Sequence, residues 1–424
     1  MDNRVVITGL GVCAPNGITI PEFSDAIKNG RSGIRHQPDL EVLNFSCQIA
    51  GKPELSEERI SQYFSPLELR NLNSSGIVYG VIAGLDAWKD AGLPIENNNE
   101  PDWDSGTVFG TGTSGIDKFR WAINKIDELE IKKLGSTVVI QTMASGVSAF
   151  ISGKLGLGNQ VSTNSSACAT GAESILLAYE RIKSGQATRM LAGSTSDSGP
   201  YIWGGFDAMK VCTFKHNHEP ESGSRPMSTT ASGFVPGSGA GALVLESLES
   251  ALARNARIYG EVLGGHVNSG GQRGSGTMTA PNPDAVQRCI KAALQSAGIQ
   301  AAEIDVINGH LTATTKDALE IQNWKAALQL PAGRFPYINS LKGMIGHCIA
   351  ASGSIECVAS ILELAEDFIF PNINCEDLSA EIKELIPEKS IPQTLIREQV
   401  NILAKASFGF GDINACVIFK KYTS

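Results

Sequence analysis

Residues 161–185 read VSTNSSACATGAESILLAYERIKSG, a short apolar-alternating run that passes through small residues straight into a helix. A strand feeding a helix in this way is a building unit of α/β folds, and the turn between them exposes Cys168 at a helix start. The unpaired N–H groups and positive dipole end of a helix favour an anion. The position therefore predicts a thiol that loses its proton more easily than a free one of pKa about 8.5. Ala167, Ala169 and Gly171 add no bulk around the sulfur, which suits a site where a carbonyl and a backbone approach closely. Two readings of Cys168 stand at this point: a nucleophile, or one of the buried, inert thiols common among free cysteines.

Composition sets the class. With 424 residues, 42% hydrophobic, 19% charged and 45 glycines, the chain has the material for a large globular core, which excludes disordered and fibrous classes. Length alone predicts two or three domains at about 150 residues each. Nine cysteines, at 13, 47, 168, 212, 289, 348, 357, 375 and 416, show no CxxC pairs and no nearby histidine spacing. Neither a disulfide framework nor a zinc site is indicated, and the expected compartment is a reducing cytoplasm. RVVITGLGV near the start is already interrupted by glycine, unlike the apolar core of a leader. No apolar run approaches the roughly 20 residues of a membrane span. A net charge of −9 argues against a nucleic-acid partner, which a basic surface would hold.

Strands alternate with helices along the chain. Candidate strands are Arg4–Leu10, Gly106–Gly110, Gln160–Ser165, Arg189–Gly193, Gly239–Leu245, Ile304–Ile307, Tyr337–Ile338 and Val400–Leu403. Candidate helices are Gly76–Ala91, Gly171–Lys183, Asp284–Ala297, Lys316–Leu328 and Ser354–Glu366, with apolar residues at three and four spacing. The segment 217–238, rich in Ser, Gly and Pro, reads as a long ordered loop of the kind that lines a functional site or partner surface. A charged helical stretch near Glu249–Arg257 divides the chain into two parts, 1–250 and 251–424, each opening with strands.

His310, in DVINGHLTATTKDALE, and His347, in YINSLKGMIGHCIAASGSIE, each follow a strand and begin a loop of small residues. Both rings can then point into one cavity; read singly, each also fits a satisfied structural histidine. Beside a cysteine, a histidine can act as a base, or stay neutral and donate to a developing oxyanion. Lys342 lies five residues before His347 and is either a charge that polarises the cavity or a solvated loop lysine. In ASFGFGDINACVIFK, Phe408 and Phe410 alternate with glycines before a last apolar strand. The pattern suits a loop whose ring gates a pocket, and equally a tight turn with two core rings. Gly274, Ser275 and Gly276 form another flexible loop.

These motifs together resemble the elongating β-ketoacyl-acyl carrier protein synthases of the thiolase superfamily. The resemblance covers nearly the whole length: RVVITGLGVCAPNG, FGTGTSG at Phe109–Gly115, SSACATGA around Cys168, SRPMSTTASGFVPGSGAGALVLE at Ser224–Glu246, GHLTATTKDALE, SLKGMIGHCIAASGSIE and SFGFGDINA. It implies a thiolase-like α/β fold of two similar halves in five layers (α-β-α-β-α), the first carrying the cysteine and the second both histidines, and a homodimer. It implies that Cys168 carries the acyl chain while His310 and His347 bind the malonyl thioester carbonyl. Lys342 is then held by Glu356, Phe410 is the gate whose N–H joins that of Cys168 in an oxyanion hole, and Phe408, Thr312 and Thr314 line the pocket. The implied reaction is decarboxylative condensation with malonyl-acyl carrier protein, needing no metal or redox cofactor; neutral histidine donors suit a dry, preorganised site.

The chain departs from the family pattern in two places. Leu311 replaces the first glycine of the usual HGTGT or HGTST, with one residue fewer before Asp317, which predicts a changed acyl cavity. Asp412 replaces the last glycine of GFGG, which predicts an altered gate. HLTAT with GFGD resembles a branch linked to aryl-polyene and flexirubin-like pigments, implying unsaturated or aryl-primed chains. Three other classes fit less of the sequence. A chain-length-factor-like subunit of a heterodimer lacks the nucleophile. A CoA-dependent thiolase has a second cysteine in a glycine-rich loop, whereas Cys416 lies in NACVIF. A cysteine hydrolase needs one oriented histidine and not two. Carrier proteins are acidic, so a few local cations are expected at the pocket mouth; Arg70, Lys210, Lys215 and Arg273 are the candidates.

Overall fold

The computed structural model describes residues 3–95, 99–331 and 333–423. The short apolar runs become strands β1 (Val5–Cys13), β2 (Ile34–His36), β3 (Ile49–Gly51), β4 (Ser105–Thr111), β5 (Val161–Ser162), β6 (Arg189–Ser196), β7 (Gly239–Ser247), β8 (Gly260–Ser269), β9 (Val306–Asn308), β10 (Tyr337–Asn339), β11 (Ile402–Gly409) and β12 (Ile413–Lys420). β2 and β3 form a small separate pair, and the other ten follow the order β10-β9-β11-β12-β8-β1-β7-β6-β4-β5.

That order repeats itself. Outward from the centre, β1-β7-β6-β4-β5 and β8-β12-β11-β9-β10 run through the same sense of pairing, two antiparallel then two parallel. All strands of one set precede residue 250 and all of the other follow it. Among the described residues the two strand sets pair along three positions, Val5–Ile7 against Gly260–Val262.

Helices Thr170–Lys183 and Ser352–Glu366 pack on each other and on strands of both sets, forming the central layer. On the face turned away from these two helices, Ser75–Asp90 covers the first strand set, and Pro283–Ala297, with Asp317–Leu328 packed beside it, covers the second. This is the five-layer thiolase-like arrangement. A central helix is buried on every side, as Ser352–Glu366 is from Ser352 through Leu364, so the polar side chains it carries must find partners inside the protein. The two central helices touch backbone to backbone at their starts: a Cβ on Gly171 would lie 2.2 Å from Ser354 N, and one on Gly353 2.7 Å from Ala172 N. Only glycine permits that approach, and it brings the turn carrying Cys168 beside the segment carrying His347.

Several boundaries differ from the sequence reading. β8 was not anticipated, because Gly264 and Gly265 interrupt its apolar pattern. The expected strand Gln160–Ser165 shrinks to Val161–Ser162, since residues 163–166 are spent in the turn that leads to Cys168. The charged stretch near 249–257 is helical only over Leu248–Ala253. The segment 217–238 is a loop apart from one short turn.

Candidate active site

Cys168 sits in a one-turn 3-10 segment, Ala167–Ala169, that runs directly into helix Thr170–Lys183. Ala167 adopts φ +49, a left-handed conformation uncommon for a residue with a Cβ and a mark of sites where backbone strain serves geometry. Side chains hold the turn: Thr170 Oγ1 donates to Ala167 O at 2.6 Å and accepts from Ser166 N at 2.9 Å, while Ser166 Oγ donates to Glu173 at 2.6 Å.

Of the nine cysteines, eight are buried and only Cys168 reaches a cavity surface. The cavity, 630 Å³, is lined by Cys168, His310, His347, Phe408 and Phe410, with Thr312 and Thr314 nearer its loops. One ligand-type atom from each of Cys168, His310 and His347 lies within 4.8 Å of the others. Both imidazoles come from the second half of the chain and the sulfur from the first.

The expectation of an acidified thiol is corrected. Burial pushes the Cys168 thiol up to about 11, outweighing Lys342 and the backbone N–H groups of Phe410 and Cys168 itself, which all favour the thiolate. Cavity walls rather than bulk water surround the sulfur, and desolvation there exceeds the help of a helix start. The backbone N–H groups of Phe410 and Cys168 are both directed toward the sulfur.

His347 Nε2 lies 3.1 Å from Cys168 Sγ. The Ile349 N–H donates to Nδ1 at 3.1 Å, and Ser352 Oγ lies 2.8 Å from the same nitrogen. A ring nitrogen that accepts carries no proton, so the neutral ring bears its hydrogen on Nε2, facing the sulfur. His310 stands at right angles to it, ring centroids 5.4 Å apart. Its backbone N–H and that of Leu311 both donate at 2.7 Å to the two carboxylate oxygens of Glu320. Burial, then Lys342 and Lys405, holds both imidazoles well below their ordinary value, and His347 adds to the effect on His310. Both are therefore neutral donors at pH 7.

Lys342 is fully buried and ion-paired to Glu356. Asp317 shapes the loop above them by accepting from Thr312 N at 2.9 Å and from Ala313 and Met227 N. Burial raises Asp317 to about 6 and Glu320 to about 7. Phe206 and Phe234 complete an aromatic wall, Phe206 at 6.1 Å from Phe410 and Phe234 at 5.3 Å from the His347 ring.

Sequence reasoning missed Glu320, Lys405, Phe206 and Phe234. A charged residue inside an otherwise apolar strand, ILAKASFG, was the available signal for Lys405; nothing local marks the two rings. Two expectations drawn from the departures change. Leu311 is buried in the core behind His310 and does not line the cavity. Asp412 also turns away from the cavity: its carboxylate accepts from Gln272 N at 3.1 Å and Asn282 N at 2.8 Å, clamping the loop that holds Gly274–Gly276 to the Phe410 turn. Among the four candidate cations Lys210 borders the cavity, Arg70, Lys215 and Arg273 do not, and Lys316 borders it instead. Cys416 is buried in β12, away from the cavity lining.

Comparison with known proteins agrees with this geometry. The "Beta-ketoacyl synthase, N-terminal domain" family matches residues 2–251 and the "Beta-ketoacyl synthase, C-terminal domain" family residues 259–376. The chain is 32% identical over 422 residues to 3-oxoacyl-(acyl-carrier-protein) synthase 2 of Vibrio harveyi, covering 99% of this chain and 98% of that one. A β-ketoacyl synthase from Burkholderia phymatum superposes with a TM-score of 0.89 at 28% identity, covering 99% of this chain and 100% of that one. The ishigamide ketosynthase/chain length factor superposes with a TM-score of 0.87 at 27% identity, each chain fully covered. With two matched domains, a repeated five-strand topology and a cysteine set against two neutral histidines, this chain belongs to the β-ketoacyl synthase family.

Proposed function

We propose that this enzyme joins an acyl chain carried on Cys168 to malonyl-acyl carrier protein, lengthening the chain by two carbons. The observation that carries the reading is the Nε2–H of His347 placed 3.1 Å from the Cys168 sulfur in a cavity shared with His310. In the first half-reaction the sulfur attacks the thioester carbonyl of an acyl carrier, forming acyl-Cys168 and releasing the carrier thiol, which takes the proton Cys168 gives up. The N–H groups of Cys168 and Phe410 stabilise the tetrahedral oxyanion. In the second, malonyl-carrier protein loses CO2 and its thioester oxygen becomes an enolate oxygen. Two neutral donors, His310 and His347, meet that charge. The enolate carbon attacks the acyl-Cys168 carbonyl, a carbon–carbon bond forms as the carbon–sulfur bond breaks, and the cysteine leaves as a thiolate that takes one proton from water.

Lys342 and Glu356 are assigned to hold the histidine segment, Phe408 and Phe410 to gate the cavity, and Thr312 and Thr314 to line the thioester's approach. Lys210 and Lys316 are the exposed cations at the cavity's edge suited to an acidic carrier protein. A homodimer is proposed, with a chain-length-factor-like partner as the alternative. The support is the apolar surface of segment 116–142, where Phe119, Ile123, Ile126, Leu129 and Val139 are exposed. Nine unpaired cysteines support a reducing, cytoplasmic setting. The boundary near residue 250 is proposed as the junction of two duplicated halves.

The test is intact-mass analysis with a panel of acyl-carrier proteins followed by malonyl-carrier protein, beside Cys168→Ala. Acylation that requires Cys168 and yields a product two carbons longer supports the reading. Absence of acylation from every carrier, or acylation that survives Cys168→Ala, overturns it and favours the non-catalytic partner.

A further inference from the structure

Lys405 lies mid-strand in β11, fully buried, opposite Asn308 of β9 and Val417 of β12. Its ammonium sits 2.9 Å from Glu356 Oε2 and 3.1 Å from Ser407 Oγ, and donates to Ala406 O. Glu356 Oε1 is already taken by Lys342. One carboxylate thus bridges two ammonium groups, and the cluster carries one positive charge more than it neutralises. All three members are buried, in surroundings where an unbalanced charge acts at far greater strength than at a surface. A lone Lys342–Glu356 pair would be neutral and complete without Lys405. Retaining a second buried lysine is expensive in desolvation, so its presence calls for a reason.

Position supplies one. Glu356 follows Ser352 by four residues on the same helix, so both face one side, and Ser352 contacts the His347 ring. Asn308, beside Lys405, is two residues before His310. Ser407 and Ala406, which Lys405 binds, lead into Phe408–Phe410. The cluster therefore lies on the segments that lead directly to both imidazoles and to Phe408–Phe410.

We propose that Lys405 is a positioning residue of the condensing site: a second buried cation whose surplus charge, shared through Glu356, keeps His310 and His347 neutral and donating toward the enolate oxygen. A nearby cation disfavours imidazolium and leaves the neutral donor, and the same surplus charge favours a transient anion in the cavity. The charged and titratable groups on the elements packed around the two rings are Lys342 from the segment before His347, Glu356 from the central helix, Lys405 from β11, Glu320 and Asp317 from helix Asp317–Leu328, and Cys168 from the nucleophile turn. Glu320 and Asp317 are directed at backbone N–H groups of the His310 loop, and burial raises them to about 7 and about 6, so their negative charge falls away across the acid range in which the imidazoles would titrate. The inference rests on the condensing reading above.

The experiment is a pH profile of single-turnover condensation, from pH 5 to 8, on native protein already acylated at Cys168, beside Lys405→Met, Lys405→Gln and Lys405→Arg. With the surplus charge gone, the acid limb of the Met and Gln variants is expected to move up by about one pH unit, roughly a tenfold loss on that limb, while the Arg variant keeps the native limb. A structural role alone would lower the rate evenly and leave the limb in place. In parallel, NMR of histidine-labelled native protein is expected to show two rings that stay neutral to pH 5.5. A limb that overlays the native one in the Met or Gln variant, an Arg variant that shifts as far as Met, or a native site ring titrating near 6.5 overturns the proposal. Failure of the native protein to acylate or condense overturns the parent reading instead, so the two failures are distinguishable.

Discussion

The imidazole Nε2 of His347 faces the sulfur of Cys168 at 3.1 Å, and the N–H of Ile349 at its other nitrogen fixes the proton on the face toward the sulfur. A donor fixed in that tautomer acts on charge that develops in the reaction. His347→Ala is expected to slow condensation by about 10²- to 10³-fold, the loss typical of one oxyanion donor. Single-turnover measurement on protein acylated at Cys168 checks it, and a loss under tenfold would contradict the assigned role.

The thiol of Cys168 is raised to about 11 by burial. Its alkylation by iodoacetamide is expected to quicken by about tenfold per pH unit from 7 to 10 with no plateau, because only the thiolate reacts. Loss of the label in Cys168→Ala identifies the site. A plateau below pH 8 would mean that the two N–H groups and Lys342 outweigh desolvation after all.

Glu356 is the only carboxylate in contact with the Lys342 and Lys405 ammonium groups among the described residues. Glu356→Ala leaves two buried cations unbalanced and is expected to destabilise the fold by about 3–5 kcal/mol, the range for breaking a buried pair. Urea unfolding of the variant beside native protein measures it. An unmoved midpoint would show that water or rearrangement rescues the lysines.

Asp412, at φ +61, clamps the 270–282 loop through the N–H groups of Gln272 and Asn282. Asp412→Gly keeps the backbone conformation accessible and removes both acceptors. Hydrogen bonds to a charged group contribute about 1.5–3 kcal/mol each, so those two amides are expected to exchange ten- to a hundredfold faster. Equal protection in the variant would show that the loop is held by its own turns.

Glu363 is buried, accepting from Asn339 Nδ2 at 2.7 Å and Phe370 N at 3.2 Å. Burial raises it well above the usual carboxylate range against both of those donors. With the folded value above the unfolded one, the stability it contributes is full below about pH 4.3 and falls as pH rises, by about 1.4 kcal/mol per unit until the folded group ionises. Glu363→Gln removes that slope. Its stability relative to native protein is expected to grow from pH 5 to pH 8 in denaturant titrations, and parallel profiles would refute the assignment.

Much of this site was readable from the chain because its reactive residues sit in small-residue loops. Cys168, His310 and His347 each follow a strand, and Lys342 and Glu356 flank His347 closely enough to travel with one motif. The α/β class followed from alternating periods. What stayed hidden depends on contacts distant in sequence. Lys405 reads locally as a strand interruption until Glu356 is placed opposite it, and β8 hides its strand behind Gly264 and Gly265. The thiol was misjudged because a helix start is visible in sequence whereas desolvation is a property of the assembled cavity. Leu311 and Asp412 stand in site motifs, yet their side chains point into the core and onto a neighbouring loop.

The nucleophile belongs to the strand set before residue 250 and its imidazole partners to the set after it, joined by three residue pairs at β1 and β8. Cys168 and His347 are separated by 179 positions. At roughly 5–20 residues per second of synthesis, a nascent chain carries the cysteine for on the order of 10–40 s before His347 is even made, and the Phe410 turn emerges later still. During that interval the ribosome-bound chain holds no assembled oxyanion pocket. A thiol near pKa 8.5 in an open chain has no donor to capture a thioester. On the proposed assignment acyl loading waits for completion of the second half, and a chain truncated before His347 is expected to be inert.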